Sequence, residues 1–271
     1  MTKLSAEPVL PAPTAAPEVN FPPPEPPRHR FHLQNANSLQ SLATTIVIAV
    51  FVVTFIVQAF QIPSESMERT LLIGDYLLVD KAHYGQSTLW KWLLPYRPVQ
   101  RQDIVVFRYP VNPAQHFVKR VIAVPGDRIR LINKHVYVNG VPQIDSYATF
   151  NWSQHDKFRD NFPDGGLFGD RISSKWFLQA RKLVEDGQLI VPEGHYFVLG
   201  DNRDDSYDSR YWGLVPAENV VGRPLIIYWS VKRDNTLADD NSQSGKLSTL
   251  AYNVMQSFKG LRWDRMFRVP H

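Results

Sequence analysis

The chain has 271 residues, of which 44% are hydrophobic and 21% charged, so it is neither a collagen, a coiled coil nor a polar disordered chain. The formal net charge is only +4 and no long basic run occurs, so the footprint of a nucleic-acid-binding protein is missing. Cysteine is absent, which excludes disulfides, thiolate metal sites and cysteine nucleophiles.

The first segment is rich in proline, with nine of the 21 prolines in residues 1–27. Proline donates no backbone hydrogen bond, and the segment offers few apolar side chains to bury. We therefore expect an extended, largely disordered tail over residues 1–40. A Pro-rich recognition motif is the alternative to this passive spacer.

An apolar run follows the tail, and the window Phe31–Ser64 contains no charged residue. A helix over Leu42–Phe60 would be about 28 Å long, close to the roughly 30 Å of a bilayer core. The run predicts one transmembrane helix at 41–60, in preference to a buried core helix or a cleaved secretory signal. The cationic residues near its two ends balance and leave the orientation open: Arg28, Arg30, Arg69 and Lys81.

Short apolar runs of period two, separated by turn signals such as Asn139-Gly140, dominate the rest of the chain. They predict strands at 76–79, 104–107, 117–124, 129–131, 135–138, 195–199 and 225–229. Helices are predicted at Ser174–Glu185 and Leu247–Phe258. The sequence thus predicts a mainly β domain of antiparallel sheets over residues 61–271, with an inserted region at about 144–190, anchored by the N-terminal helix.

Three segments carry groups that suit acyl-transfer chemistry. Ser64 and Ser66 are two positions apart, so on an extended strand their hydroxyls would share one face, one as a nucleophile and the other as a donor beside it. Polar residues that are merely solvated at a membrane exit are the alternative. Lys119 lies in an apolar strand, where burial of its face would lower the lysine pKa and give a neutral base. Pairing with a carboxylate or snorkelling at an edge is the alternative there.

The third segment, Leu199–Arg210, is dense in charges and hydroxyls directly after an apolar strand, as in many active-site loops. It lacks the Gly and Glu that a calcium-binding EF-hand loop needs. The eight histidines show no ligand spacing, so we expect no metal site.

In this order, S-x-S-M-x-x-T-L, K-R-x-x-x-x-P-G-D and G-D-N-R-D-x-S-x-D-S-R resemble the motifs of bacterial signal peptidase I, over roughly Gln61–Ser230. The resemblance implies the signal-peptidase β fold and a Ser–Lys dyad, with Ser66 as nucleophile and Lys119 as general base. It also implies that Ser64 and the N–H of Ser66 form the oxyanion hole and that Ser206 orients the lysine. Asp208 and Arg210 match the supporting ion pair.

The chain departs from this pattern at four positions near the motifs, where many members have a small residue, Pro, Gly and Asn: Glu65, Arg69, Gln102 and Asp205. None of the changes removes a catalytic atom. We expect Glu65 to face outward, because an inward carboxylate would raise the pKa of the lysine. We also expect the insertion to form a small subdomain remote from the dyad.

The resemblance further implies a bacterial inner-membrane protein with a cytoplasmic tail and a catalytic domain on the outer face. Its implied partners are signal peptides with small residues at the first and third positions before the cut, the lipid bilayer and the secretion machinery, and it needs no cofactor. The rival from another class is a catalytically inactive or specialised membrane-anchored periplasmic binding or assembly protein of the same fold. A protease specialised for one secreted client, with its selectivity carried by the insertion, is a further alternative. A self-cleaving Ser–Lys protease related to SOS-response repressors would carry a DNA-binding motif and no span, the reverse of this chain.

Overall fold

The computed structural model describes residues 31–84, 97–163, 171–232 and 260–271. The Pro-rich segment 1–30 and the helix predicted at Leu247–Phe258 lie outside these residues. The chain divides into two compact units, one ending at Val47 and the other beginning at Ile48.

The first unit contains helix α1, Phe31–Phe51, as far as Val47. The helix begins inside the stretch that the sequence assigns to the tail, because residues 31–40 contain no proline and every backbone N–H there can donate. All side chains from Ser38 to Phe51 are exposed. Of the helices in the described parts of the chain, none combines the length and the apolar character needed to cross a membrane.

The helix predicted over 41–60 needs correction at its C-terminal end. A short π-helical turn, Val52–Ile56, follows α1, and strand β1 occupies Val57–Gln61. Strand β1 pairs antiparallel with strand β2, Asp75–Asp80. The backbone N–H and C=O groups of β1 are therefore hydrogen-bonded to a neighbouring strand. The apolar character of the local sequence, which predicts a helix, gives no information about this pairing.

Ten further strands follow in chain order: β3 Ile104–Arg108, β4 His116–Ala123, β5 Arg128–Ile132, β6 His135–Val138, β7 Val141–Pro142, β8 Val184–Glu185, β9 Gln188–Ile190, β10 His195–Leu199, β11 Val215–Pro216 and β12 Val220–Ser230. One sheet has seven strands in the order β1-β2-β12-β3-β4-β10-β11, and the other has five in the order β7-β6-β5-β9-β8. All of these pairs are antiparallel. The predicted mainly β architecture and all seven predicted strands are confirmed.

Three short helices complete the described elements: α2 Lys157–Asp160, α3 Ser174–Leu183 and α4 Ser209–Trp212. Helix α3 confirms the helix predicted at Ser174–Glu185, except that the last two residues of the predicted segment form strand β8 and pair with β9. The helix stops there because the chain turns back through Asp186 and Gly187, both of which have positive φ.

Strand β4 is covered on both faces by apolar side chains. Phe117 and Val121 contact the larger hydrophobic cluster, whereas Val118 packs on a smaller cluster that includes Met67. A strand enclosed in this way buries the side chains near its centre, and Lys119 is one of the two central residues of β4.

Candidate active site

Ser66 lies in a tight turn directly after Ser64, so the two serines do not share the extended strand that the sequence predicts. Residues Glu65–Met67 form a single 3-10 turn, which the extended Ser64 precedes. The turn closes because the Glu68 N–H donates to the Glu65 carbonyl, while Met67 is buried in the smaller cluster. Ser64 Oγ and Ser66 Oγ are nevertheless 3.2 Å apart, so the two hydroxyls lie beside each other as predicted.

The side chain of Lys119 is buried, with 4% of its surface exposed. Its pKa is lowered from 10.5 to about 8, mainly because burial disfavours the charged amine, and the nearby Arg210 guanidinium acts in the same direction. The carboxylates of Asp208, Asp201 and Asp205 act in the opposite direction but do not restore the ordinary value. A substantial fraction of this lysine is therefore neutral near pH 8. The sequence alone predicts a neutral amine only if the face of the strand that carries Lys119 is buried.

Ser64, Ser66 and Lys119 line one cavity of about 480 Å³. Its other walls come from β1, the segment after it, β4, one residue of the insertion and the loop after β10: Phe60, Gln61, Ile62, Pro63, Glu65, Met67, Ile73, His116, Phe117, Val118, Arg171, Asp205 and Tyr207. Most of these side chains are apolar. The cavity thus combines a hydroxyl pair and a low-pKa amine with an apolar lining.

Gly200 lets the serine turn approach the loop after β10 closely. A Cβ on Gly200 would collide with the Ser66 carbonyl oxygen and with Ser206 Oγ, so only glycine fits between them. The Asn202 N–H donates to the Ser66 carbonyl at 3.1 Å and holds the two segments in this register. Ser206 Oγ is buried and forms no regular hydrogen bond with another described residue, although the Ser206 hydroxyl is close enough to the Asp208 carboxylate to help lower its pKa. A buried hydroxyl of this kind is available to an additional donor or acceptor.

Asp208 and Arg210 form a fully buried ion pair at 2.8 Å. Burial raises the pKa of Asp208, but the Arg210 guanidinium outweighs burial and holds it below its usual range. Asp208 Oδ2 also accepts from the Gly200 N–H, and Arg210 Nη2 donates to the Arg203 carbonyl. The pair therefore fixes the loop that carries Ser206.

A second buried ion pair joins β4 to the same loop, and the sequence reasoning missed it. Arg120 donates through Nε and Nη2 to both carboxylate oxygens of Asp201, at 2.8 and 2.7 Å. Thr70 Oγ1 also donates to Asp201, and the Arg120 guanidinium lies 3.8 Å from the centre of the Tyr147 ring. Each of the two residues is adjacent to a site residue, which is the signal that could have identified them.

The departures from the family pattern have visible backbone consequences. Gln102 has φ of 71°, in the left-handed region that favours the glycine found there in many members. Arg69 has φ of 83°, which proline cannot adopt, so this turn differs from one built with Pro. Glu65 is exposed, as expected, although it belongs to the cavity lining.

The insertion is not remote from the dyad, contrary to expectation. Arg171 lines the cavity that contains Ser66 and Lys119. In addition, Trp176 of α3 donates through Nε1 to the Arg210 carbonyl at 3.1 Å. The inserted region therefore packs against the loop of the supporting ion pair, a contact between segments distant in sequence that no local pattern reveals.

Within the described parts of the chain, no group of three or more His, Asp or Glu side chains has an arrangement that could hold a metal ion.

Comparisons with known proteins agree with this geometry. A family model described as "Signal peptidase, peptidase S26" matches residues 36–229, which include the serine turn, β4 and the loop after β10. Signal peptidase I of Aquifex aeolicus is 38% identical over 222 residues, covering 69% of this chain and 82% of that protein. Signal peptidase I of Pseudomonas fluorescens is 33% identical over 209 residues, covering 70% of this chain and 71% of that protein.

A solved structure of a signal peptidase I from Enterococcus faecalis is also similar. It is 35% identical and covers 47% of this chain and 97% of that chain, with a TM-score of 0.36.

Proposed function

The chain belongs to the signal peptidase family, peptidase S26, and we propose that it removes N-terminal signal peptides from secreted preproteins with Ser66 as nucleophile and Lys119 as general base. The observation that carries this proposal is the buried, low-pKa Lys119 in the same cavity as Ser66. The apolar side chains of Ile62, Met67 and Val118 in that cavity suit the small residues expected before the cut.

The amine of Lys119 is suited to the role of base near neutral pH. With a pKa of about 8, a tenth of the lysine is neutral at about pH 7, whereas an ordinary lysine would be neutral in fewer than about one molecule in a thousand. Neutral Nζ accepts the proton of Ser66 Oγ as that oxygen attacks the carbonyl carbon of the scissile bond. The base is thus available without a histidine.

The tetrahedral intermediate then collapses, the C–N bond breaks, and the Lys119 ammonium returns its proton to the leaving amine. This step leaves the signal peptide as an ester on Ser66 and releases the mature chain. Water attacks the ester carbonyl carbon while Lys119 takes a proton from it. The bond between that carbon and Ser66 Oγ then breaks, the Lys119 ammonium returns its proton to Ser66 Oγ, and the signal peptide leaves with a terminal carboxyl group. Each proton taken by the lysine is returned, so the cycle closes without a cofactor.

Neighbouring groups stabilise and orient this pair. We assign Ser64 Oγ and the Ser66 N–H as donors to the oxyanion, since the Ser64 hydroxyl already lies 3.2 Å from the nucleophile. We assign Ser206, whose buried hydroxyl forms no regular hydrogen bond with another described residue, to the orientation of the lysine amine. Asp208 and Arg210 hold the Ser206 loop, because their ion pair is buried and bonded to the backbone on both sides.

We also propose that the helical part of the apolar run, residues 41–56, anchors the protein in the bacterial inner membrane, with the tail in the cytoplasm and the catalytic domain on the outer face. The support is the uncharged sequence of this run together with family membership. An anchor that directly precedes the catalytic domain in the sequence would meet preproteins that are themselves held at the bilayer by their signal peptides. Alkaline extraction of membranes from expressing cells tests this: the full chain should stay in the pellet, and its recovery in the supernatant would contradict the anchor.

The central test is cleavage of a preprotein by the full-length protein in detergent or lipid, with Ser66→Ala and Lys119→Ala compared with the wild type. Both variants should lose processing while they keep the wild-type circular dichroism spectrum. Ser153→Ala and Lys232→Ala, which change an exposed serine and an exposed lysine, are the matched controls and should cut normally.

Retained activity in folded Lys119→Ala would refute the dyad but not the peptidase function. Absence of cleavage by the wild type would refute the function itself and favour the inactive binding or assembly protein.

A further inference from the structure

Arg171 is an exposed cation in a cavity that otherwise suits small apolar residues. It comes from the insertion, whereas the other lining residues come from β1 and the segment after it, β4 and the loop after β10. Its guanidinium lies 5.5 Å from the centre of the Tyr211 ring. It forms no ion pair with another described residue. Its charge is therefore available to whatever occupies the cavity.

The position of Arg171 is set by contacts directly beyond it. The Ser173 N–H donates to the Tyr211 carbonyl at 3.0 Å, and Trp176 Nε1 donates to the Arg210 carbonyl. Gly213, with φ of 107°, leaves room for the Trp176 ring, which a Cβ there would strike. The start of α3 is thereby attached to the loop of the buried Asp208–Arg210 pair, and Arg171 is held beside the cavity.

Charges of both signs surround this position, so any selection of charge depends on where a substrate side chain lies. Glu65 and Asp205 line the cavity as carboxylates, and Lys119 and His116 are its other basic groups. Burial lowers the pKa of His116, and the nearby Arg108 acts in the same direction, which favours the uncharged imidazole. Lys119 is committed to the dyad. Arg171 is then the exposed permanent cation in the lining, and its planar guanidinium suits a carboxylate.

We propose that Arg171 is a specificity-determining residue that favours preproteins with an Asp or Glu side chain close to the cleavage site. This inference rests on the proposed function, because it concerns substrates of the Ser66–Lys119 site. The guanidinium forms a charge-assisted hydrogen-bonded pair with the substrate carboxylate in the open cavity. A lysine at the same substrate position is repelled. The insertion therefore contributes to client selection through one side chain that reaches the site.

The expected effect is modest, because both partners of the ion pair remain partly hydrated. Exposed ion pairs shift an equilibrium by about two- to fivefold, so Glu should be preferred over Gln by about that factor in kcat/KM. Screening by salt should reduce the preference, because the Debye length falls from about 10 Å at 0.1 M to about 3 Å at 1 M ionic strength.

The experiment uses the full-length protein in detergent and peptides with alanine at the first and third positions before the cut. Glu, Gln or Lys is placed in turn at the second position before the cut and at each of the first three positions after it. Cleavage is measured for the wild type, Arg171→Ala and Arg171→Glu. Arg181→Glu is the matched control, because Arg181 is an exposed arginine of α3 outside the cavity lining.

We expect the wild type to prefer Glu over Lys at one or more of these positions, Arg171→Ala to lose that preference and Arg171→Glu to reverse it. Arg181→Glu should behave as the wild type with every peptide, and the rate with the uncharged Gln peptide serves as the reference within each protein, so that a change in overall rate does not affect the comparison. Equal Glu-to-Lys ratios in the wild type and Arg171→Ala at every position would overturn the inference. If the wild type cuts no peptide and no preprotein, the proposed function has failed first, which is a distinguishable result.

Discussion

Replacement of Lys119 by methionine should abolish cleavage and yet stabilise the protein near neutral pH. Methionine has a similar length and carries no charge to desolvate. The native lysine is buried, and its pKa falls from 10.5 to about 8. Burial of the ammonium therefore costs stability wherever the native lysine is charged, and replacing it with an apolar side chain removes that cost.

The magnitude follows from the linkage between protonation and folding. The fall in pKa corresponds to about 3 kcal/mol at pH 7, at about 1.4 kcal/mol for each tenfold change in the protonation constant. The unfolded chain binds more protons than the native one between the two pKa values, so wild-type stability rises as the pH increases from about 8 towards 10.5. The advantage of the methionine variant should thus shrink by about 2 kcal/mol between pH 7 and pH 9.5.

The assay is the free energy of unfolding of both proteins in the same detergent, measured by tryptophan fluorescence across that pH range. Lys232→Met, which changes an exposed lysine, is the control and should show no such pH dependence relative to the wild type. A stability difference between Lys119→Met and the wild type that stays constant from pH 7 to pH 9.5 would refute the argument that native Lys119 is desolvated.

Three other variants test separate features of the site. Asp205→Asn should shift the pH–rate profile for kcat/KM to lower pH, because the Asp205 carboxylate raises the pKa of Lys119; an unchanged or alkaline-shifted profile would contradict this. Gly200→Ala should lower kcat for small peptides by more than about tenfold with little change in KM, because the new Cβ pushes the Ser66 backbone away from Ser206. A kcat equal to that of the wild type would show that the loop accommodates the Cβ without displacing Ser66. Asp201→Asn should lower the free energy of unfolding by about 3–5 kcal/mol, because it leaves Arg120 buried without a counter-charge. A denaturant titration measures this, and a loss below about 1 kcal/mol would count against a buried ion pair.

The sequence predicted the strands well because period-two alternation is a local property. All seven predicted strands are present, and the run at 135–138 matches β6 to the residue. Predictions from the sequence were less accurate where contacts with segments distant in the chain decide the local structure. Residues 57–60 are as apolar as the helix before them, but pairing with β2 makes them part of a strand. The Ser64–Ser66 segment turns because Met67 finds a place in the smaller cluster, which alternation cannot indicate.

By itself, the sequence determined the mainly β class, the order of the three motifs and the family to which they point, since residue identity and spacing carry that information. The roles of Ser66 and Lys119 stay predictions of that resemblance until the variants are measured. Only the tertiary structure decided that Lys119 is buried, that Gly200 brings Ser66 and Ser206 together, and that Arg171 reaches the cavity. The physical reason is that the pKa of a side chain and its contacts depend on what packs against it, and the groups that pack here are distant in sequence.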